Sequence, residues 1–186
     1  MTQTQPNVFW ITGLSGAGKS TTAQALIAHL KEQGRSPIFL DGDELRAIMD
    51  AIHAHTREER IELASRYGRL CKFLADQGLD VVIATISMYD PVYAWNRAHI
   101  PGYIEIFLDV PLEELRKRDP KDIYKRADRG LLKDVAGLDL RVDIPPTPDI
   151  HYRWSPESSA HNAAEFIIDT LRTIEHHKNT QIMDNG

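Results

Sequence analysis

An α/β domain on a mostly parallel, five-stranded sheet is the fold this sequence predicts, from two observations. Strand-like and helix-like patterns alternate along the chain, as crossover connections require. Between the first such pair stands Gly13-Leu14-Ser15-Gly16-Ala17-Gly18-Lys19-Ser20, which fits G-x-x-x-x-G-K-[ST]. The apolar run Val8–Thr12 precedes it and a helical pattern follows. That strand–loop–helix order is the context in which the motif binds phosphate.

The first strand is Val8–Thr12, and the first helix runs from about Ser20 to Gln33, with Gly34 as its stop. A short strand, Ile38–Leu40, ends at Asp41-Gly42-Asp43. A short helix over about Glu44–Ala51 and a long one over about Arg57–Gln77 follow; Ile61, Ala64, Leu70, Phe73 and Leu74 of the latter keep largely to one face. Leu79–Thr85 is a buried strand, continuously apolar from Val81 to Ala84. Pro91 opens a helix to about His99, Tyr103–Val110 is a strand, and Pro111 opens a helix to about Arg118. Asp119–Pro148 is rich in Lys, Arg, Asp, Gly and Pro, with little apolar periodicity, and reads as a basic lid. A last strand near Ile150–Trp154 and a helix over about Ser158–Glu175 complete a single domain of 186 residues, with a flexible tail from His176 to Gly186.

The glycine loop brings its own chemistry. Glycines let the backbone curl until its N–H groups face inward as an anion cradle. The helix N-terminus behind adds about half a positive charge. Lys19 then reaches the β- and γ-phosphates of ATP and the Ser20 hydroxyl serves Mg²⁺; Gly13, Ser15, Gly16, Ala17, Gly18 and Thr21 complete the phosphate site. The order G-x-x-G-x-G excludes the dinucleotide fingerprint. Asp41 and Asp43 stand where a parallel strand ends, on the same side as the loop, where a metal and an acceptor hydroxyl need carboxylates. Arg46, Arg60 and Arg97 are candidates for an anionic acceptor.

A net charge of −5 gives no general basic surface for nucleic acid. The lone Cys71 reads as a buried structural thiol. No apolar run reaches the roughly 18 residues of a membrane span. The short polar start, Met1–Asn7, is no signal peptide, so a cytoplasmic protein is expected. The eight histidines show no metal-ligand spacing. A nucleotide-binding switch or inactive sensor is the competing class; the guanine motif N-K-x-D is absent, and Lys19, Ser20 and Asp43 are all present.

From Trp10 to about Glu175 the chain resembles the adenylylsulfate kinase family. The resemblance rests on Trp10–Ser20, on Leu40-Asp41-Gly42-Asp43 with Arg46, on Phe73–Leu79, on Ile86-Ser87, and on Arg118-Asp119-Pro120-Lys121 with Tyr124-Lys125. It implies a P-loop kinase fold, a three-layer sandwich, commonly as a homodimer, that moves the γ-phosphate of MgATP to the ribose 3′-hydroxyl of adenylylsulfate. By position, it implies Asp43 at the metal and acceptor hydroxyl, and Asp41, Arg46, Arg60, Ile86 and Leu138 at the acceptor nucleotide. It also implies Ser87 as the active-site serine, Arg118 on the ATP adenine, and Lys121 closing over both nucleotides.

The departures gather on the acceptor side. The family pattern Phe-Ile-Ser-Pro-Phe/Tyr is here Thr85-Ile86-Ser87-Met88-Tyr89, and Asp-Arg-x-x-Asn is Glu59-Arg60-Ile61-Glu62-Leu63. An aromatic expected near His55 is absent, and Phe-Thr-Gly-Ile/Val-Asp of the lid is Val135-Ala136-Gly137-Leu138-Asp139. An intact ATP half with a rewritten acceptor half implies another activated nucleotide as the alternative acceptor, as in the related cytidine diphosphoramidate kinase of capsule biosynthesis.

Overall fold

A computed structural model describes residues 5–51 and 53–184, at 160 and 175–184 by their backbone alone. In chain order the elements are β1 (Val8–Thr12), α1 (Lys19–Glu32), β2 (Ile38–Asp41), α2 (Gly42–Ile48), α3 (Arg57–Ala75) and β3 (Val81–Ala84), then α4 (Asp90–His99), β4 (Tyr103–Asp109), α5 (Leu112–Arg118), α6 (Ile123–Asp128), β5 (Ile150–Arg153) and α7 (Ala160–Asp184). The five strands form one sheet in the order β2-β3-β1-β4-β5. Every pairing is parallel, with Val8 opposite both Val81 and Tyr103, so the sheet is wholly rather than mostly parallel.

Strand alternation sorts the core into two layers of contact. Phe9, Ile11, Val82 and Ile106 pack with Ala23, Leu26 and Leu30 of α1 and Ile167 and Leu171 of α7. Val8, Trp10, Val81 and Ile83 pack on the other face with Ala64, Tyr67 and Cys71 of α3 and Val92 of α4. Both faces are covered, which explains why β1 and β3 are buried along their whole length and read as unbroken apolar runs. The result is the three-layer sandwich. Cys71 is fully buried, and burial pushes its thiol pKa up, in keeping with a structural role. Among the described residues no helix is long and apolar enough to cross a membrane.

Several boundaries shift by one to three residues, and three departures from the sequence expectation have a structural reason or a larger extent. The helix after β2 starts at Gly42, not Glu44, because the Asp41 carboxylate accepts from the Asp43 N–H at 2.9 Å and caps it there. The basic segment contains α6, whose Tyr124 is buried while Ile123 and Ala127 pack against the core. Six residues are too few for a helical period to declare itself. Finally, α7 continues past Glu175 to Asp184, through most of the stretch read as a flexible tail; residues 185–186 lie outside the described residues.

Candidate active site

All five strands run the same way, so the loops after them share one edge of the sheet, and ligands of such sheets bind there. A cleft of about 960 Å³ opens at that edge, at the upper end of what ligand pockets usually measure. Its floor is the loop after β1. Gly18 stands at the α1 N-cap with φ 98°, a left-handed conformation that glycine takes without penalty. At Gly13 a side chain is excluded for another reason: its Cβ would lie 2.8 Å from the Leu108 carbonyl oxygen. α1 begins without a side-chain cap and without an acidic residue in its first turn. Its leading N–H groups and dipole are thus left for an external anion. Ser15, Gly16, Gly18, Lys19, Ser20 and Thr21 line the cleft, whereas Gly13 and Ala17 lie beneath it as support.

Lys19 is half-buried, and its ammonium donates to the Leu14 carbonyl at 2.9 Å, across the loop. Burial lowers its pKa to about 8, against the pull of Asp43 and Asp41 in the opposite direction. Next to it lies a polar corner. Ser20 Oγ donates to Asp41 Oδ2 at 3.1 Å. Asp43 pairs with Lys121 at 2.5 Å, which joins the first turn of α2 to the segment after α5. Ser20 therefore has Asp41 as its carboxylate partner.

The other half of the cleft is cationic. Arg46 is held by the carbonyls of Ala51, at 3.1 Å, and Ala54. Arg60 Nη2 donates to the Asp134 carbonyl at 2.7 Å, while its Nε is buried with no hydrogen-bond partner. Burial lowers the Arg60 pKa, and the neighbouring Arg46 charge lowers it further. A guanidinium disfavoured by burial and by a like-charged neighbour makes a site that a bound anion relieves. Ser87 faces Thr85 across a 2.7 Å hydroxyl–hydroxyl bond, and both, with Ile86, line the wall.

The adenylylsulphate kinase family model matches residues 5–153. This chain belongs to the adenylylsulfate kinase family. A cytidine diphosphoramidate kinase of Campylobacter jejuni is 38% identical over 166 residues, covering 89% of this chain and 96% of the relative. An adenylyl-sulfate kinase of Marinobacter nauticus is 37% identical over 173 residues, covering 92% and 86%. The solved APS kinase of Mycobacterium tuberculosis, in complex with AMPPNP and APS, superposes with a TM-score of 0.81 at 33% identity, covering 90% of this chain and 98% of that one. As a member of the family, the chain is a phosphotransferase with an alcohol group as acceptor.

Most of the site residues expected of this kinase from sequence do line its cleft: Asp41, Asp43, Arg46, Arg60, Ile86, Ser87, Arg118 and Lys121 all do. Leu138 does not. It packs against the core, and the cleft wall is made instead by Leu132 to Ala136. Arg97 is also elsewhere: it holds the buried Glu105 at 3.1 Å and Asp149 at 3.1 Å and packs on the Tyr103 ring. The basic run divides. Arg118, Lys121 and Lys133 reach the cleft, while Arg116 pairs with Asp128 and Lys125 with Asp122.

The acceptor half is less bare of aromatics than the motif comparison implies. Tyr67 and Tyr89 line it, whereas Met88 turns away into a cluster with Tyr93 and Phe107. Burial raises the Tyr67 hydroxyl to about 12, and it donates to the Gly42 carbonyl at 3.3 Å. Tyr67 sits one turn after Leu63 on α3, so the helical period carried a signal for it.

The basic segment is tied to the phosphate loop by Tyr124, whose hydroxyl donates to the Ser15 carbonyl at 2.8 Å. The buried Asp119 sets that helix in place by accepting from the Tyr124 and Lys125 N–H groups at 3.2 and 3.0 Å. Tyr124→Phe is expected to cost about 1 kcal/mol in a urea-unfolding titration, the worth of one partly buried hydrogen bond. It is also expected to raise the KM for ATP with little change in the KM for acceptor, since the bond holds only the loop.

Proposed function

We propose that this protein transfers the γ-phosphate of ATP to the ribose 3′-hydroxyl of a nucleotide that carries an acidic anhydride, adenylylsulfate being the first reading of the acceptor. One observation carries this: a single cleft sets Lys19 and the Asp41–Asp43 corner against the Arg46–Arg60 pair. A phosphate donor and an anionic acceptor then meet over a carboxylate. The Mycobacterium tuberculosis structure, a complex with AMPPNP and APS, supports the same pairing of ligands.

Each residue has a distinct task. The loop N–H groups and Lys19 hold the β- and γ-phosphates and spread the charge that builds on the transferring group. Arg46 and Arg60 hold the acceptor's anionic end, which fixes its ribose over Asp43. Asp43 accepts the proton of the attacking hydroxyl. Ser87 and Thr85 offer hydroxyls to the acceptor sugar, and Arg118, with Ser158 and Ser159, frames the ATP base. Ser20, Asp41 and Asp43 would supply hard oxygens to Mg²⁺, and the 3.1 Å contact of Ser20 with Asp41 puts two of those donors side by side. When bound there, Mg²⁺ would neutralise charge on the phosphates. Residues 119–148 act as the lid, with Lys121 exchanging Asp43 for phosphate. Family membership supports a homodimer in the cytoplasm, and light scattering on the purified protein would test the dimer.

A second acceptor, cytidine diphosphoramidate, is favoured by a specific observation. Leu63 and Val135 line the acceptor half, each with 6% exposure, so two apolar surfaces stand where the family pattern has an amide and an aromatic. The Campylobacter jejuni relative supports this reading. Steady-state kinetics on the two acceptors separates them. The first reading expects kcat/KM at least equal with adenylylsulfate. A hundredfold preference for the cytidine compound, about 2.7 kcal/mol in transition-state binding, overturns it.

The lowered Lys19 pKa gives a pH prediction. Free enzyme holds Lys19 charged below about pH 8 and loses the charge above it. Log kcat/KM for ATP should therefore fall with unit slope above about pH 8. Bound phosphates raise the ammonium's pKa, so kcat should stay level to higher pH. Both parameters bending at the same pH would contradict the assignment.

A further inference from the structure

Asp143 is a buried carboxylate that the phosphoryl-transfer chemistry leaves unused. It is 8% exposed and lies behind the cleft wall rather than on it. Its Oδ2 accepts from Arg57 Nη2 at 2.5 Å and from the Asp90 N–H at 3.0 Å. Its own N–H donates to the Met88 carbonyl at 2.9 Å, and its carbonyl accepts from the Tyr93 hydroxyl at 3.2 Å. Arg141 Nε lies 3.6 Å from Oδ1. Arg57 makes the return crossing: Nη1 donates to the Arg141 carbonyl at 2.8 Å, and the guanidinium sits 5.1 Å from the Tyr89 ring centroid.

Three stretches distant in sequence are joined by this one ion pair. Arg57 opens α3, which carries Arg60 one turn later. Asp143 follows the segment whose residues 132–136 form the cleft wall. Met88 and Asp90 flank Tyr89 and follow Ser87, both of which line the cleft. The pair also does work at α4. Its N-cap residue, Tyr89, supplies no side-chain cap, and the Asp143 carboxylate accepts the leading Asp90 N–H in its place. The site is charged for good: burial pushes the Asp143 pKa up, but the Asp90 N–H and the Arg57 guanidinium outweigh it and hold it below the ordinary carboxylate range.

We propose that Arg57 and Asp143 form a latch that positions the acceptor nucleotide, by fixing Ser87 and Tyr89 against Arg60 and the cleft wall. The latch rests on the kinase reading above and extends it to two residues that touch no substrate. Displacing reacting groups by about 1 Å can cost roughly 10²-fold in rate. A latch of this kind therefore acts on acceptor use and spares ATP, whose site is built from α1 and the glycine loop.

The test is steady-state kinetics of Asp143→Asn, Arg57→Gln and the double variant, with ATP and with adenylylsulfate and cytidine diphosphoramidate as separate acceptors. The latch predicts a fall of about 10- to 100-fold in kcat/KM for the acceptor. The KM for ATP should stay within about twofold of the parent's, and the double variant should be no worse than the weaker single one, as coupled residues require. If Asp143→Asn gives no folded protein, Arg57→Lys, which keeps the charge and loses the bidentate fork, must still show the acceptor-selective loss. Equal losses toward ATP and acceptor, or unchanged acceptor kinetics beside a lower melting temperature, would overturn the latch while leaving the kinase reading intact. A parent protein that phosphorylates neither acceptor would overturn both.

Discussion

Lys19→Ala is expected to lower the turnover of saturated enzyme by on the order of 10²–10³-fold, the loss seen when one preorganised donor to developing charge is removed. Lys19 is the cation that the loop itself carries into the cleft, anchored by its 2.9 Å bond to the Leu14 carbonyl. Other cations line the cleft, Arg118 and Lys121 among them, but they belong to other segments, and Lys121 is engaged with Asp43. The fold should survive. Lys19 has a lowered pKa because burial opposes its charge, so removing it relieves that cost and leaves the melting temperature near the parent's or above it. Turnover and thermal melting, measured side by side, check both halves. Near-normal turnover would refute the assignment of this loop to phosphoryl transfer.

Asp43→Asn is expected to lower kcat by about 10²-fold or more, with a much smaller effect on ATP affinity. Asp43 is largely exposed and pairs with Lys121, so it is not needed to hold the fold. Asp41 caps α2 and partners Ser20, so the phosphate side of the corner persists in the variant. What the amide cannot do is accept the hydroxyl proton. Pre-steady-state turnover and ATP binding by fluorescence titration separate the two effects. A collapse of ATP binding with turnover of saturated enzyme preserved would assign Asp43 to the nucleotide instead.

How much of this could be read in the sequence follows from the distance over which each signal acts. The glycine loop and the Asp41–Asp43 corner are local patterns, and a wholly parallel sheet is bound to bring them to the same edge. Arg46 and Arg60 follow from the family motif and do meet in one cleft. Leu138 misled because Gly137 packs so tightly on Leu14, with 2.8 Å left for a Cβ, that Leu138 is drawn onto the core and the preceding turn forms the wall. Arg97 misled because a lone arginine on a helix has no signature for the buried Glu105 it serves. Met88 and Tyr89 part because adjacent residues in an extended stretch face opposite ways, the first joining Tyr93 and Phe107 and the second lining the cleft. Arg57 and Asp143 are 86 positions apart, and no local pattern joins them. Tyr124 belongs to a helix of six residues, too short to show a period.

The central claim is that this cleft moves the γ-phosphate of ATP onto the ribose 3′-oxygen of a nucleotide. Its most direct measurement is phosphorus NMR of the products formed from ATP and Mg²⁺ with adenylylsulfate, and in a parallel reaction with cytidine diphosphoramidate. The account predicts a new phosphomonoester coupled to the ribose 3′ proton of at least one acceptor, with ADP formed in equal amount. ADP accompanied only by inorganic phosphate, or a phosphate attached at any other position of the acceptor, would contradict it.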